Sequence, residues 1–300
     1  MADAANESVT VWPKVPDAWV NILARSSPPV LKRSLDDLAK FQDALYEVPV
    51  RKVADVVEAD AMLALNLMIL VGRSQGTRPT EVENIEEALL MVGVVNFVKK
   101  AMAFPTVDSI LAKRPEALLG TLRSAARARR AAMFVRQWAR IRSDRNEGAC
   151  VIATLLYEVT EVLAWIHAPE KMMAFEQVVR DNPKRKLKLT RWMEFGFEWE
   201  DLELKMLRRF KLPELVVTLI KPNPSEASPS ADLVARAVKF SRKLAESRDM
   251  RALQDDLHEI ARLLKVPTRR LVIDMKLDNT PLAAAAIEPA PVSSDSGAAA

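Results

Sequence analysis

Residues 84–93, Asn84-Ile85-Glu86-Glu87-Ala88-Leu89-Leu90-Met91-Val92-Gly93, read as one complete short helix. Asn84 offers a side-chain acceptor for the free amides of a first turn, and Glu87, three residues on, can reach back to it. Ile85, Ala88, Leu89 and Val92 recur at three-and-four spacing and make a single buried stripe. The run closes on a Val92-Gly93 step. A start signal, an apolar face and a stop thus fall within one short stretch, and the same pattern organises much of the chain.

Upstream, from Arg51, the residues Val53, Val56, Val57, Asp60, Leu63, Ala64 and Leu67 follow one helical face on which only Asp60 is polar. Gly72 stands where a C-cap for that helix belongs. Downstream, helices are predicted over 115–143, 147–168, 169–180, 199–210 and 213–220, with Pro169 and Pro213 in first turns, where a missing amide hydrogen costs little. The breaker-rich run from Lys221 to Ser230 marks a linker. Beyond it a helical pair is predicted over 232–247 and Met250–Leu264, with a last short helix over 267–277. Only 7 glycines against 18 prolines among 300 residues, with abundant Ala, Leu, Glu, Lys and Arg, favour helix throughout. The expected fold class is all-α: a multi-helical bundle with a C-terminal helical extension. The expected division is an N-terminal lead (1–30), a main helical domain (31–222), a linker (223–231), C-terminal helices (232–278) and a disordered tail (279–300).

A content of 49% hydrophobic and 28% charged residues is that of an ordinary globular chain. The net charge of +4 arises from 44 basic against 40 acidic residues, an excess too small to imply nucleic acid. No apolar run approaches the roughly 18–20 residues that span a bilayer, and the longest, 61–71, is interrupted by Asn66. The segment Met1-Ala2-Asp3-Ala4-Ala5-Asn6-Glu7 is polar and acidic and does not read as a secretory signal. A single cysteine, Cys150, cannot form an internal disulfide. A cytoplasmic location, with no membrane association, is expected.

Four segments taken in order resemble HDOD-domain proteins, bacterial relatives of the HD and HD-GYP phosphodiesterases that lack the catalytic metal ligands. Val56-Val57-Glu58-Ala59-Asp60-Ala61-Met62-Leu63 is similar to the family's helix with an Asp-Pro step, Ala61 replacing the proline. Gly72-Arg73 stands where the family often has Asn-Ser. The block from Ile85 to Gly93 is similar to the family's helix ending in a hydrophobic-Gly step. Glu194-Phe195-Gly196-Phe197 and Phe210-Lys211-Leu212-Pro213 resemble the Gly-containing turn and the aromatic-x-Leu-Pro step of its last helices. The resemblance implies an HD-like orthogonal bundle. It aligns Tyr157-Glu158, within Ala153-Thr154-Leu155-Leu156-Tyr157-Glu158, with the His-Asp position of HD enzymes. It therefore implies a non-catalytic regulatory module that binds a protein partner or a small signalling ligand, without a cofactor. The alternative is a degenerate metal-dependent phosphohydrolase acting on nucleotides.

The residue chemistry favours the first reading. Hydrolytic metal sites draw on neutral imidazoles and carboxylates, and the chain has two histidines, His167 and His258. Tyr157 is a poor ligand, since a phenol titrates near ~10. No catalytic and no metal-ligating residue is expected. His167 closes a helix, where the dipole favours a cation; His258 reads as a solvated residue and Cys150 as a buried structural thiol. Eight arginines, at 123, 127, 129, 130, 136, 140, 142 and 145, are opposed in their span only by Asp144. Arg123, Arg127 and Arg130 share one helical face, Arg129, Arg136 and Arg140 another. Lys184-Arg185-Lys186-Leu187-Lys188 with Arg191-Trp192 adds a second basic run carrying an aromatic. The default is that these groups face solvent or pair with acidic helices. If they bind a ligand or partner, Arg129, Arg136, Arg140, Lys184, Arg185 and Trp192 are the candidate surface. Nucleic acid is not expected, because no recognition motif accompanies the charge. Phe195, Phe197 and Trp199, with Trp192, read as core packing, or alternatively as an aromatic groove for a partner helix.

Overall fold

A computed structural model of the chain describes residues 11–74, 82–223, 228–246, 250–275 and 277; the predicted tail and the first ten residues of the lead lie outside them. Among the described residues the regular elements are helices, with one isolated parallel bridge between Val30 and Thr106. The first group is α1 (Pro16–Leu23), α2 (Lys32–Ala39), α3 (Val50–Val57), α4 (Ala61–Ser74), α5 (Ile85–Val92), α6 (Val94–Ala101) and α7 (Val107–Ile110). A central group follows: α8 (Pro115–Ile141), α9 (Glu147–Leu156) and α10 (Val159–His167). Around it lie α11 (Pro169–Asp181), α12 (Leu187–Phe195), α13 (Trp199–Arg209) and α14 (Glu214–Ile220), then the extension α15 (Pro229–Glu246), α16 (Met250–Leu264) and α17 (Thr268–Asp274). The fold class is the expected one, a multi-helix all-α bundle.

The 84–93 stretch forms α5 as read, with one shift. Asn84 Oδ1 accepts from the Glu87 amide at 2.9 Å, but Glu87 reaches past Asn84 to accept from the Glu83 amide at 2.7 Å. Gly93, at φ +82°, turns the chain directly from α5 into α6, a conformation a side chain would strain. Gly72, by contrast, does not end its helix. It sits inside α4, where an added Cβ would lie 2.9 Å from the Lys211 carbonyl oxygen, so it is there for close approach.

The helix predicted from Arg51 to Gly72 is in fact two, broken at Asp60. The residue that spoils the apolar face is the corner. Asp60 is 1% exposed, and its Oδ1 accepts from the amides of Met62 (2.9 Å) and Leu63 (3.3 Å) at the start of α4. Its Oδ2 accepts from the Leu31 amide (2.9 Å) and the Ser34 hydroxyl (2.8 Å), tying α2 to the same point. Burial nonetheless outweighs these four hydrogen bonds and holds the carboxyl above its ordinary range.

The helix predicted over 147–168 is also two, and the break is Tyr157-Glu158 itself. From Ala149 to His167 every residue but Tyr157 is buried, so α9 and α10 are the hub of the bundle. The Glu147–His167 segment is long and apolar enough to cross a membrane by composition, with mean hydropathy 1.7, yet 94% of its apolar window is covered by other helices. Cys150 is buried as expected, its thiol pushed up to about 12 by burial and by Asp144.

Both flanking segments join this core. Trp19, in the expected lead, stacks on Trp12 at 5.4 Å and meets the Phe195 ring at 5.2 Å. Phe195, Phe197 and Trp199 are buried together, whereas Trp192 stays 50% exposed. Residues 229–231 of the expected linker already belong to α15. Its Phe240 packs edge-on against Phe134 at 5.7 Å, and its Ser230 hydroxyl donates to Asp144 at 2.8 Å.

His167 is not a dipole-stabilised cation. It is 8% exposed, neither ring nitrogen has a hydrogen-bond partner among the described residues, and burial together with Arg25 pulls its pKa down to about 4. The unfolded chain, with an ordinary value of 6.5, takes up the proton first. The contribution of His167 to stability is therefore present above pH 6.5 and is lost as pH drops from there toward 4, by about 3 kcal/mol over the window. His167→Leu is expected to remove that slope in urea melts run from pH 7 to 4. Asp60→Ala strands the Leu31, Met62 and Ser34 donors and is expected to cost about 3 kcal/mol; an unchanged urea midpoint would show that the corner does not hold α2 to α4.

Candidate functional site

Glu158 and Glu161 lie one turn apart at the junction of α9 and α10, facing α8. A face of α8 built at three-and-four spacing supplies Ser124 and Arg127. Arg127 Nε lies 3.2 Å from Glu158 Oε2, and its Nη2 bonds Glu161 Oε1. The Ser124 hydroxyl donates to that same Glu161 oxygen at 3.0 Å. Arg191 of α12 takes Glu161 Oε2, and Arg242 of α15 takes Glu158 Oε1. Three guanidiniums from three helices thus enclose two carboxylates, of which Glu158 is 3% exposed.

Burial would raise the Glu161 pKa, but Arg191, Arg127 and Arg242 outweigh it and bring the carboxyl down to about 2. Burial likewise opposes the charge on Arg242, and Glu158 and Glu161 override it, so its guanidinium is held above the usual value. Glu161 and Arg242 are therefore both ionised at neutral pH. Arg191 also lies over the Trp199 ring at 4.9 Å, and Tyr157 is flanked by Lys221 Nζ at 5.7 Å and the Arg242 guanidinium at 5.9 Å.

These residues do not fit a divalent metal. All four carboxylate oxygens of Glu158 and Glu161 accept from guanidiniums, whose charge repels a cation. Tyr157 presents its ring to cations, and no group of three or more His, Cys, Asp or Glu among the described residues could hold a metal ion.

Beside the cluster opens a cavity of about 650 Å³ between α8, α10, α11, α12 and α15. Its wall includes Arg123, Arg127 and Arg130 of α8, with Arg191 and Arg242. The surface picked out from sequence lies elsewhere. Arg136 pairs with Glu58 at 2.7 Å and Arg140 with Glu147 at 2.8 Å. Arg129 and Lys184 are exposed, and neither they nor Arg185 nor Trp192 lines the cavity. His167 and His258 do not line it either. Of the two arginine faces on α8, the one at 123, 127 and 130 is the one that meets buried acid. The sequence signal was Ser124 beside it and the Glu158–Glu161 spacing opposite; Arg191 and Arg242 are too distant in the chain to be linked to it by pattern.

Glu158→Leu leaves Arg127 and Arg242 with a buried, half-compensated charge and is expected to cost about 3 kcal/mol or more. Arg242→Met in the same chain should recover part of the loss. A double-mutant cycle read by urea denaturation should give a coupling of about 1–3 kcal/mol, whereas strict additivity would dissolve the pair.

In structure the chain is similar to a virulence factor from Campylobacter jejuni subsp. jejuni, with a TM-score of 0.62 and 17% identity over 86% of this chain and 95% of that one. It is also similar to the MmoQ response regulator from Methylococcus capsulatus str. Bath, with a TM-score of 0.58 and 14% identity over 83% of this chain and 98% of that one. Identities so low show a shared fold alone. No curated protein matches the sequence. The HDOD domain model matches residues 29–223, from the approach to α2 to the end of α14. That span holds both glutamates and the helices that carry Arg127 and Arg191, and the chain belongs to the HDOD-domain family.

Proposed function

We propose that this chain is a non-catalytic, cytoplasmic bacterial regulatory module that transmits a signal by binding a protein partner or a small signalling ligand. The observation that carries the reading is the fate of Glu158. At the position that the resemblance aligns with the metal-binding pair of HD enzymes, the one carboxylate is already shared between Arg127 and Arg242. Recruiting it for a metal would take from the half-buried Arg242 its paired carboxylate and from Arg127 one of two, a cost to be met before any cation was bound. MmoQ, which shares the fold, is a response regulator, and a signalling role is carried over to this chain by fold analogy alone.

The test is hydrolysis. The purified full chain, given Mn²⁺ or Mg²⁺ and bis(p-nitrophenyl) phosphate, is expected to release no nitrophenol above the buffer rate. Turnover that disappears in Glu158→Gln would overturn the reading in favour of a degenerate phosphohydrolase. Pull-downs from native lysate with the whole chain are expected to return one reproducible partner, and repeated empty captures would leave only the small-ligand form of the reading.

A further inference from the structure

We propose that the cavity between α8, α10, α11, α12 and α15 binds a small organic anion, a phosphate monoester or carboxylate carried on a flat apolar body. This deepens the reading of the chain as a ligand-binding module and rests on it. A volume of about 650 Å³ falls in the range of small-molecule sites. Six arginines line the cavity against two glutamates, Glu161 and Glu176. Glu161 is consumed by Arg127 and Arg191, and Glu176 by Arg123 at 2.8 Å. Arg130 and Arg180 make no ion pair with a described residue, so the lining carries an excess of positive charge.

Arg191 gives the site its built character. It is 8% exposed, lines the cavity, and its Nε has no hydrogen-bond partner among the described residues. A buried guanidinium donor without an acceptor is costly, and an oxygen of an entering anion would relieve it. The guanidinium fork matches the paired oxygens of phosphate and carboxylate, which favours these over a spherical anion. The remaining wall is apolar: Trp165, Met172, Phe175 and Val179 line one side. Gly120 lets α8 settle onto Trp165, since a Cβ there would lie 2.6 Å from the indole ring. An anion with a planar hydrocarbon body satisfies both halves of the cavity; a bare inorganic ion satisfies one, and a neutral aromatic the other.

Calorimetry with the full chain at low salt decides it, using 1-naphthyl phosphate, 1-naphthoate, inorganic phosphate and 1-naphthol as probes. Saturable binding of one naphthyl anion in the micromolar range is expected, with inorganic phosphate and 1-naphthol each weaker by about tenfold or more. Which naphthyl anion binds tighter separates phosphate from carboxylate. Arg130→Glu should weaken the tighter probe by about tenfold, and Arg129→Glu, outside the cavity, should leave it within about twofold. Ala126→Trp, which keeps every charge and fills the opening, should block binding if Arg130→Glu fails to fold. The proposal is overturned if neither naphthyl anion saturates below about 1 mM, or if Arg129→Glu weakens binding as much as Arg130→Glu. Either result on a chain inactive toward bis(p-nitrophenyl) phosphate removes this site and leaves the regulatory reading standing.

Discussion

Two carboxylates sit at the centre of an apolar bundle, and neither could stay ionised there alone. Moving a carboxylate out of water costs several kcal/mol even after relaxation, and only close opposite charge restores it. Glu158 and Glu161 meet that demand with arginines on α8, α12 and α15. Those helices lie far apart in the chain, so the charge balance is complete only when all are in place. Much of the arrangement around α10 can be understood as the solution to this one electrostatic requirement, including the break in the helix at Tyr157-Glu158 and the long reach of Arg242.

Asp60 faces the same desolvation and answers it differently. Among the described residues no guanidinium pairs with it; two amides at the α4 start, one amide before α2 and the Ser34 hydroxyl supply neutral donors. The two solutions leave opposite traces, since burial keeps the Asp60 carboxyl above its ordinary range while the arginines bring Glu161 down to about 2. Hydrogen bonds suffice to hold a corner. Full charges are needed where a carboxylate is to remain ionised beside an open cavity.

Local signals were legible because they are read by neighbours in the chain. The Asn84 cap, the Gly93 step and prolines such as Pro169 all act within a turn, and each is found where its chemistry placed it, save that Glu87 caps one residue earlier than its spacing implied. The four family-like segments, between Val56 and Pro213, all fall inside the matched 29–223, because motifs in fixed order are legible one by one. Tertiary facts were not legible. Gly72 read as a stop and proved to be a contact with Lys211; Asp60 read as a flaw in one helix and proved to be the joint between two. Among the arginines of α8, periodicity separated two faces but could not say which would meet Glu158, since that depends on partners at 191 and 242.

Arg242 lies beyond the matched 29–223 segment, yet it neutralises a glutamate inside it, and Ser241 next to it donates to the Arg127 carbonyl at 2.8 Å. What is inherited as a recognisable module and what folds as a unit are therefore different lengths of this chain. Any segment in which Glu158 keeps both of its arginines must reach into α15, beyond the border of the family match.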